Sequence, residues 1–141
     1  MIGLEFEWNE ESRKLEKLFE SFMISNYEWQ IIEDEIVSNN CNLILDKKYS
    51  GDDFKKIWEN LDLIIFLNVQ VYLKESMVKP IKTYSEYKDS DCQLMLLISD
   101  IRTIEVYSKD KKILNSILNS KIENIEIKTE EKDNRVIMRV N

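Results

Sequence analysis

The sequence predicts an α+β fold: a single domain over residues 1–141, with a largely antiparallel mixed sheet of about seven or eight strands and three main helices packed on it. Three observations carry that expectation. Segments of strand period and helix period alternate along the whole chain. No Gly-, Ser- or Pro-rich linker divides them. An unbroken apolar run from Cys92 to Ser99 is followed, after the polar turn Asp100 to Arg102, by a second strand-like run from Thr103 to Tyr107, which reads as the central hairpin.

Taken in order, IGLEFEW sets Ile2, Leu4, Phe6 and Trp8 against Gly3, Glu5 and Glu7, the period of a half-buried strand. Asn9 can cap a helix to about Met23, with Glu10 and Glu11 at its positive end and Leu15, Leu18, Phe19 and Phe22 on one face. Tyr27, Trp29 and Ile31 alternate with Glu28 and Gln30. The acidic run Glu33, Asp34 and Glu35 reads as a turn between Ile32 and Ile36, giving either a hairpin or one long bent strand. A polar loop from Ser38 leads to a short strand at Leu43.

Ser50 and Asp53 fit a capping box, and Phe54, Ile57, Trp58 and Leu61 follow at helical spacing, so a helix is expected from about Asp52 to Asn60. The segment from Leu61 to Lys74 reads as a long strand, central at its start and half-exposed where Asn68, Gln70 and Tyr72 alternate with apolar residues. Lys79, before the only proline, is biased away from helix. Thr83 and Glu86 form another capping box for a short helix carrying Tyr84 and Tyr87. Ser108 or Asp110 caps a helix with Ile113, Leu114, Ile117 and Leu118 as its buried stripe. Two strands, from Glu123 and from Arg135, close the chain.

Composition excludes several chemistries. There is no histidine, so Ser-His-Asp and Cys-His nucleophilic systems and histidine-ligated metals are ruled out. With only Gly3 and Gly51, no glycine loop exists to cradle phosphates. Cys41, in a polar loop, and Cys92, opening an apolar strand, fit reduced and inert thiols better than a redox pair. Asp89 and Asp91 form a D-x-D pair that could face a divalent cation, although a polar turn before the strand explains them as well. Trp8, Trp29 and Trp58 fall in step with apolar faces and read as core. No cofactor is expected.

The segment from Lys79 to Leu114, above all TYSEYKDSDCQL, resembles an uncharacterised family of short proteins from Bacillus-type bacteria, known only as a domain of unknown function. The opening MIGLEFEW and the Tyr27, Trp29, Ile31 pattern are similar to that family's start. The resemblance implies a bacterial cytoplasmic protein and brings no activity, cofactor or catalytic residue.

Charge gives the remaining functional signal. Residues 1–60 hold 14 acidic and 7 basic side chains, net −7, whereas residues 61–141 hold 13 of each. Glu10, Glu11, Glu16, Glu20, Glu33, Asp34 and Glu35 are the candidate surface for a basic protein partner, the bland alternative being a solvated face that aids solubility. Lys109, Lys111 and Lys112 are the only compact basic group, too few for nucleic acid. No apolar run is long enough for a membrane span, and the N-terminus lacks the pattern of a signal peptide, so a cytoplasmic location is expected. The sequence favours a non-enzymatic interaction module, an adaptor or immunity-type inhibitor; the alternative is a carboxylate-based enzyme, with or without a divalent metal.

Overall fold

The structure, a computed structural model, describes residues 1–7, 18–19, 26–37, 48–60, 63–73, 79 and 81–129, with the side chains of 33–37 and 63 set aside. Its strands are β1 (Gly3–Glu7), β2 (Tyr27–Val37), β3 (Lys48–Ser50), β4 (Leu63–Leu73), β5 (Cys92–Ser99), β6 (Thr103–Ser108) and β7 (Glu126–Lys128). The helices among the described residues are α1 (Gly51–Glu59), α2 (Tyr84–Asp89) and α3 (Lys111–Leu118). The strands form one sheet in the order β3-β2-β4-β5-β6-β1-β7, every neighbouring pair antiparallel. The expected α+β class with a largely antiparallel sheet is therefore the observed one.

The reason β5 reads as an unbroken apolar run is its place at the centre of the sheet. Leu94, Leu96 and Ile98 join one core, and Met95 and Leu97 join the other, all at most 1% exposed. A strand covered on both faces has no solvent side to carry polar residues. The larger core also takes Leu4 and Phe6 of β1, Trp29 and Ile31 of β2, and Val69 and Val71 of β4. It is roofed by Phe54 and Trp58 of α1 and by Ile113, Leu114 and Ile117 of α3. Trp29 stacks on Phe54 with ring centroids 4.7 Å apart, and Phe54 tilts against Trp58 at 6.1 Å, which fixes α1 over β2. Trp29 and Trp58 are thus core, as their spacing implied; Trp8 lies outside the described residues.

The smaller core, on the opposite face, contains Ile2, Tyr72, Ile81, Tyr87, Cys92, Met95, Leu97 and Tyr107, with Tyr84 packed against it. Ile2 was expected beside Leu4 and Phe6. It belongs instead to this second core, because the strand begins only at Gly3. A one-residue break in β5 opposite Val71 and Tyr72 turns Cys92 to the same face as Met95.

Two expectations need correction. Of the two alternatives at Glu33, Asp34 and Glu35, the hairpin turn is not formed and the one long bent strand is: β2 runs unbroken through them, paired with Asn68, Leu67 and Phe66 of β4. Irregularities after Ile31 and after Glu35 absorb the misfit that the acidic run suggested. Nor is the second half of β4 half-exposed. Asn68, Gln70 and Tyr72 are 2%, 0% and 1% exposed, while the apolar Leu73 is exposed, so polarity misjudged which side chains face water. The strand at Lys48–Ser50 had no sequence signal beyond Tyr49, which is buried. The expected helix from Asn9 to Met23 lies outside the described residues apart from Leu18 and Phe19, both buried in the larger core. The strands expected at Leu43 and Arg135 also lie outside them.

The capping signals hold well. Ser50 Oγ accepts the Asp53 N–H at 3.2 Å, Thr83 Oγ1 accepts the Glu86 N–H at 3.2 Å, and Asp110 Oδ1 accepts the Lys112 N–H at 2.9 Å. Asp110, not Ser108, is the cap of α3. In the β5–β6 turn, Asp100 and Ile101 both have left-handed backbones, with φ 51° and 71°. That is uncommon for Asp and costly for a β-branched residue, and the Ile101 N–H is held by the Ile65 carbonyl at 3.3 Å.

Gly3 has a steric rather than a conformational role. A Cβ there would lie 2.7 Å from Tyr107 Cδ1 and 2.7 Å from the Val106 carbonyl oxygen, because the Tyr107 ring lies over the glycine opposite it. Gly3→Ala is expected to destabilise the fold by about 1–3 kcal/mol through overpacking, read as a lower urea midpoint with an unchanged slope. An unchanged midpoint would show that the Tyr107 ring yields freely.

Candidate functional site

The Asp89–Asp91 pair sits at the corner where α2 hands the chain to β5. Ser90 between them is buried; its Oγ donates to the Tyr87 carbonyl at 2.8 Å and accepts the Cys92 N–H at 3.2 Å. Tyr87 OH donates to the Gln93 carbonyl at 2.9 Å, and the Lys109 ammonium, which donates to the Ser90 carbonyl, lies 5.2 Å from the Tyr87 ring centroid. These bonds fasten α2 to β5 and β6. They leave a cleft of about 470 Å³ lined by Lys79, Glu86, Asp89 and Ser90. Asp89 lines it. Asp91 is exposed and is not among its lining residues; its carbonyl accepts from Gln93 Nε2 at 3.0 Å. Among the described residues no three Asp, Glu or Cys side chains group as a cation site would require.

Cys92 is sealed beneath this corner. It is 0% exposed, and its Sγ lies 3.2 Å from the Leu94 carbonyl oxygen. Burial pushes the thiol up to about 11, with the neighbouring backbone groups and Lys109 pulling weakly the other way. Burial also raises the Tyr72 phenol, whose OH donates to Gln70 Oε1 at 2.6 Å, and the Tyr87 phenol. The thiolate needed for nucleophilic chemistry is thereby suppressed, and Cys92 acts as a small apolar side chain.

A second group of ionisable residues gathers on the same face toward the β7 edge of the sheet. Pairing sets Glu5 of β1 opposite Glu105 of β6 on one side and opposite Glu126 of β7 on the other. Lys128, two residues beyond Glu126, lies opposite Gly3 and reaches Glu5 Oε1 at 3.6 Å and Glu105 Oε1 at 3.0 Å. Burial first, and then a hydrogen bond with the Glu105 carboxyl, raise the Glu5 carboxyl above its ordinary value; Lys128 offsets part of that rise. Beside it is a cleft of about 280 Å³ lined by Glu5, Phe6, Glu7, Thr103, Asn124 and Glu126. Asn124, in a left-handed conformation with φ 57°, lies just before β7 on that wall. Two carboxyls within reach of one proton can do acid–base work, which is what this group offers chemically.

On the other side of β5, toward β2, the same face carries amides. Gln30 and Gln70 stand opposite one another on β2 and β4, with Asn68 two residues along β4. Gln30 Oε1, Gln70 Nε2 and Asn68 Oδ1 are buried without a hydrogen-bond partner. Each such group costs about 1–3 kcal/mol.

Compared with known proteins, residues 1–139 match the family described as "Protein of unknown function (DUF2691)". The chain belongs to this family. A curated relative, the "Uncharacterized protein YncE" of Bacillus subtilis (strain 168), is 27% identical over 148 residues, covering 94% of each chain. No solved structure matches.

In this DUF2691 chain the candidate acidic surface falls mostly outside the description: Glu10, Glu11, Glu16 and Glu20 lie outside the described residues, as does Cys41. Glu33, Asp34 and Glu35 have their backbone in β2. Of the basic group, Lys109 is engaged with Ser90 and Tyr87, while Lys111 and Lys112 are exposed on the first turn of α3. Sequence reasoning missed the Glu5, Glu105 and Lys128 group because its members are far apart in the chain. The signal that could have found it is the charged side of IGLEFEW together with Glu105 in TIEVY, once β1 is paired with β6.

The burial of Cys92 has a direct consequence. With its thiol near 11, only about one part in a thousand is ionised at pH 8. In a Cys41→Ser background, Ellman's reagent should react with Cys92 only as fast as the protein unfolds, and completely in urea. Modification within seconds of mixing in native buffer would contradict the sealed corner.

Proposed function

We propose that the chain is a non-enzymatic protein-interaction module of the bacterial cytoplasm, an adaptor or immunity-type inhibitor, that binds a basic protein partner through its acidic N-terminal half. The observation that carries this reading is the charge distribution: the whole net charge of −7 resides in residues 1–60. An excess of one sign on one part of a surface speeds encounter with a partner of opposite sign and fixes its orientation. The exposed acids of α1, Asp52, Asp53 and Glu59, are part of that excess, and Asp52 and Asp53 also suit the positive end of that helix. Burial of the Cys92 thiol supports a role without nucleophilic chemistry.

A second reading, an enzyme working through carboxyls, draws on the Glu5 and Glu105 pair beside its cleft. Its divalent-metal form, with Asp89 and Asp91 as ligands, draws only on the cleft that Asp89 lines.

Affinity capture from host extract at low salt tests the first reading. A specific basic protein should be retained, be released as salt rises, and bind at least tenfold more weakly to a Glu16→Lys, Glu20→Lys variant. Retention indifferent to salt and to both charge reversals would remove the electrostatic docking surface.

A further inference from the structure

We propose that Glu5, Glu105 and Lys128 form a protonation-sensitive clamp that fixes β7 against β1 and β6.

The geometry begins with Gly3. Lys128, Gly3 and Tyr107 lie in one row across β7, β1 and β6, and Glu126, Glu5 and Glu105 lie in the next. Gly3 has no side chain, so its position leaves room for the Tyr107 ring, and Lys128 lies opposite it on β7. The ammonium can then cross β1 and meet carboxyls on both β1 and β6, at 3.6 Å and 3.0 Å. One lysine on a short strand thus ties together three strands.

The charge count makes the clamp depend on protons. Among the described residues, the ionisable groups facing Glu5 are Glu105 from β6, Glu126 and Lys128 from β7, and Glu7 on its own strand. Like charges directly opposite across a sheet repel. When Glu5 holds its proton it can donate a hydrogen bond to the Glu105 carboxylate, and Lys128 then balances that single charge. When Glu5 is ionised, two carboxylates share one ammonium, and the half-buried trio carries an uncompensated charge beside Glu126 and Glu7.

The sign of the effect follows. Glu5 releases its proton at higher pH in the folded chain than in the unfolded one, so the folded state binds more protons. The stability this group contributes is present at low pH and is lost as pH rises through its folded midpoint. The clamp is tight below the ordinary glutamate range and loosens as pH rises above it.

Glu5→Gln keeps a donor toward Glu105 and cannot ionise. Its melting temperature should lie close to wild type at pH 3.5, where both are uncharged at position 5, and rise above it as pH increases to 8. At pH 8 the Ile2 N–H, which donates to the Lys128 carbonyl at 2.9 Å, should exchange with deuterium several-fold more slowly in Glu5→Gln than in wild type. Carbon-13 titration of the Glu5 carboxyl provides an independent reading: its midpoint should rise in Lys128→Met and fall in Glu105→Gln. A melting difference constant from pH 3.5 to 8, equal Ile2 exchange rates, or a Glu5 midpoint at the ordinary glutamate value and unmoved by either variant would each overturn the clamp.

Discussion

At the centre of the sheet, Leu94, Met95, Leu96, Leu97 and Ile98 are five consecutive side chains with almost no exposure, pointing alternately into two cores. Burying each of them is worth about 1.5–3 kcal/mol relative to leaving it in water. That gain is available only if both faces of the sheet are covered at β5. One cover is built by α1 and α3 around the Trp29, Phe54 and Trp58 stack. The other is built by α2 and Ile81, fastened to β5 and β6 through Ser90, Tyr87 and Lys109. The tight packing at Cys92 and its suppressed thiolate follow from this second cover.

The two faces then differ in chemistry. The face under α1 and α3 is apolar from β2 to β1. The other face is apolar only near α2 and turns polar outward: amides at Gln30, Asn68 and Gln70 on one side, glutamates and Lys128 on the other. The chain order explains why the acids meet there. The first strand is inserted between β6 and β7, so an N-terminal glutamate comes to lie between two glutamates from the last third of the chain.

Local signals in the sequence were reliable where the physics is local. Caps at Ser50, Thr83 and Asp110, the helical stripes they introduce, and the Cys92 to Tyr107 hairpin were all legible, because each depends on residues within a few positions. The acidic run at Glu33 to Glu35 misled because such residues usually mark turns, yet strand pairing with β4 overrides that preference. Asn68 and Gln70 misled in the same direction: polarity suggested exposure, and the central position of β4 buries them. What was not legible is non-local. Strand order decides which of the 27 acids converge, and only the pairing of β1 with β6 and β7 brings Glu5, Glu105 and Lys128 together. Family membership extends over residues 1–139.

If burial of β5 on both faces holds the molecule together, its amides should be the last to open. Native-state hydrogen exchange of Leu94, Leu96 and Ile98, followed at increasing urea, measures this directly. The structure requires their opening free energy to equal that of global unfolding, with the same urea dependence. Exchange through a cheaper, urea-insensitive opening while the rest of the sheet stays protected would contradict it.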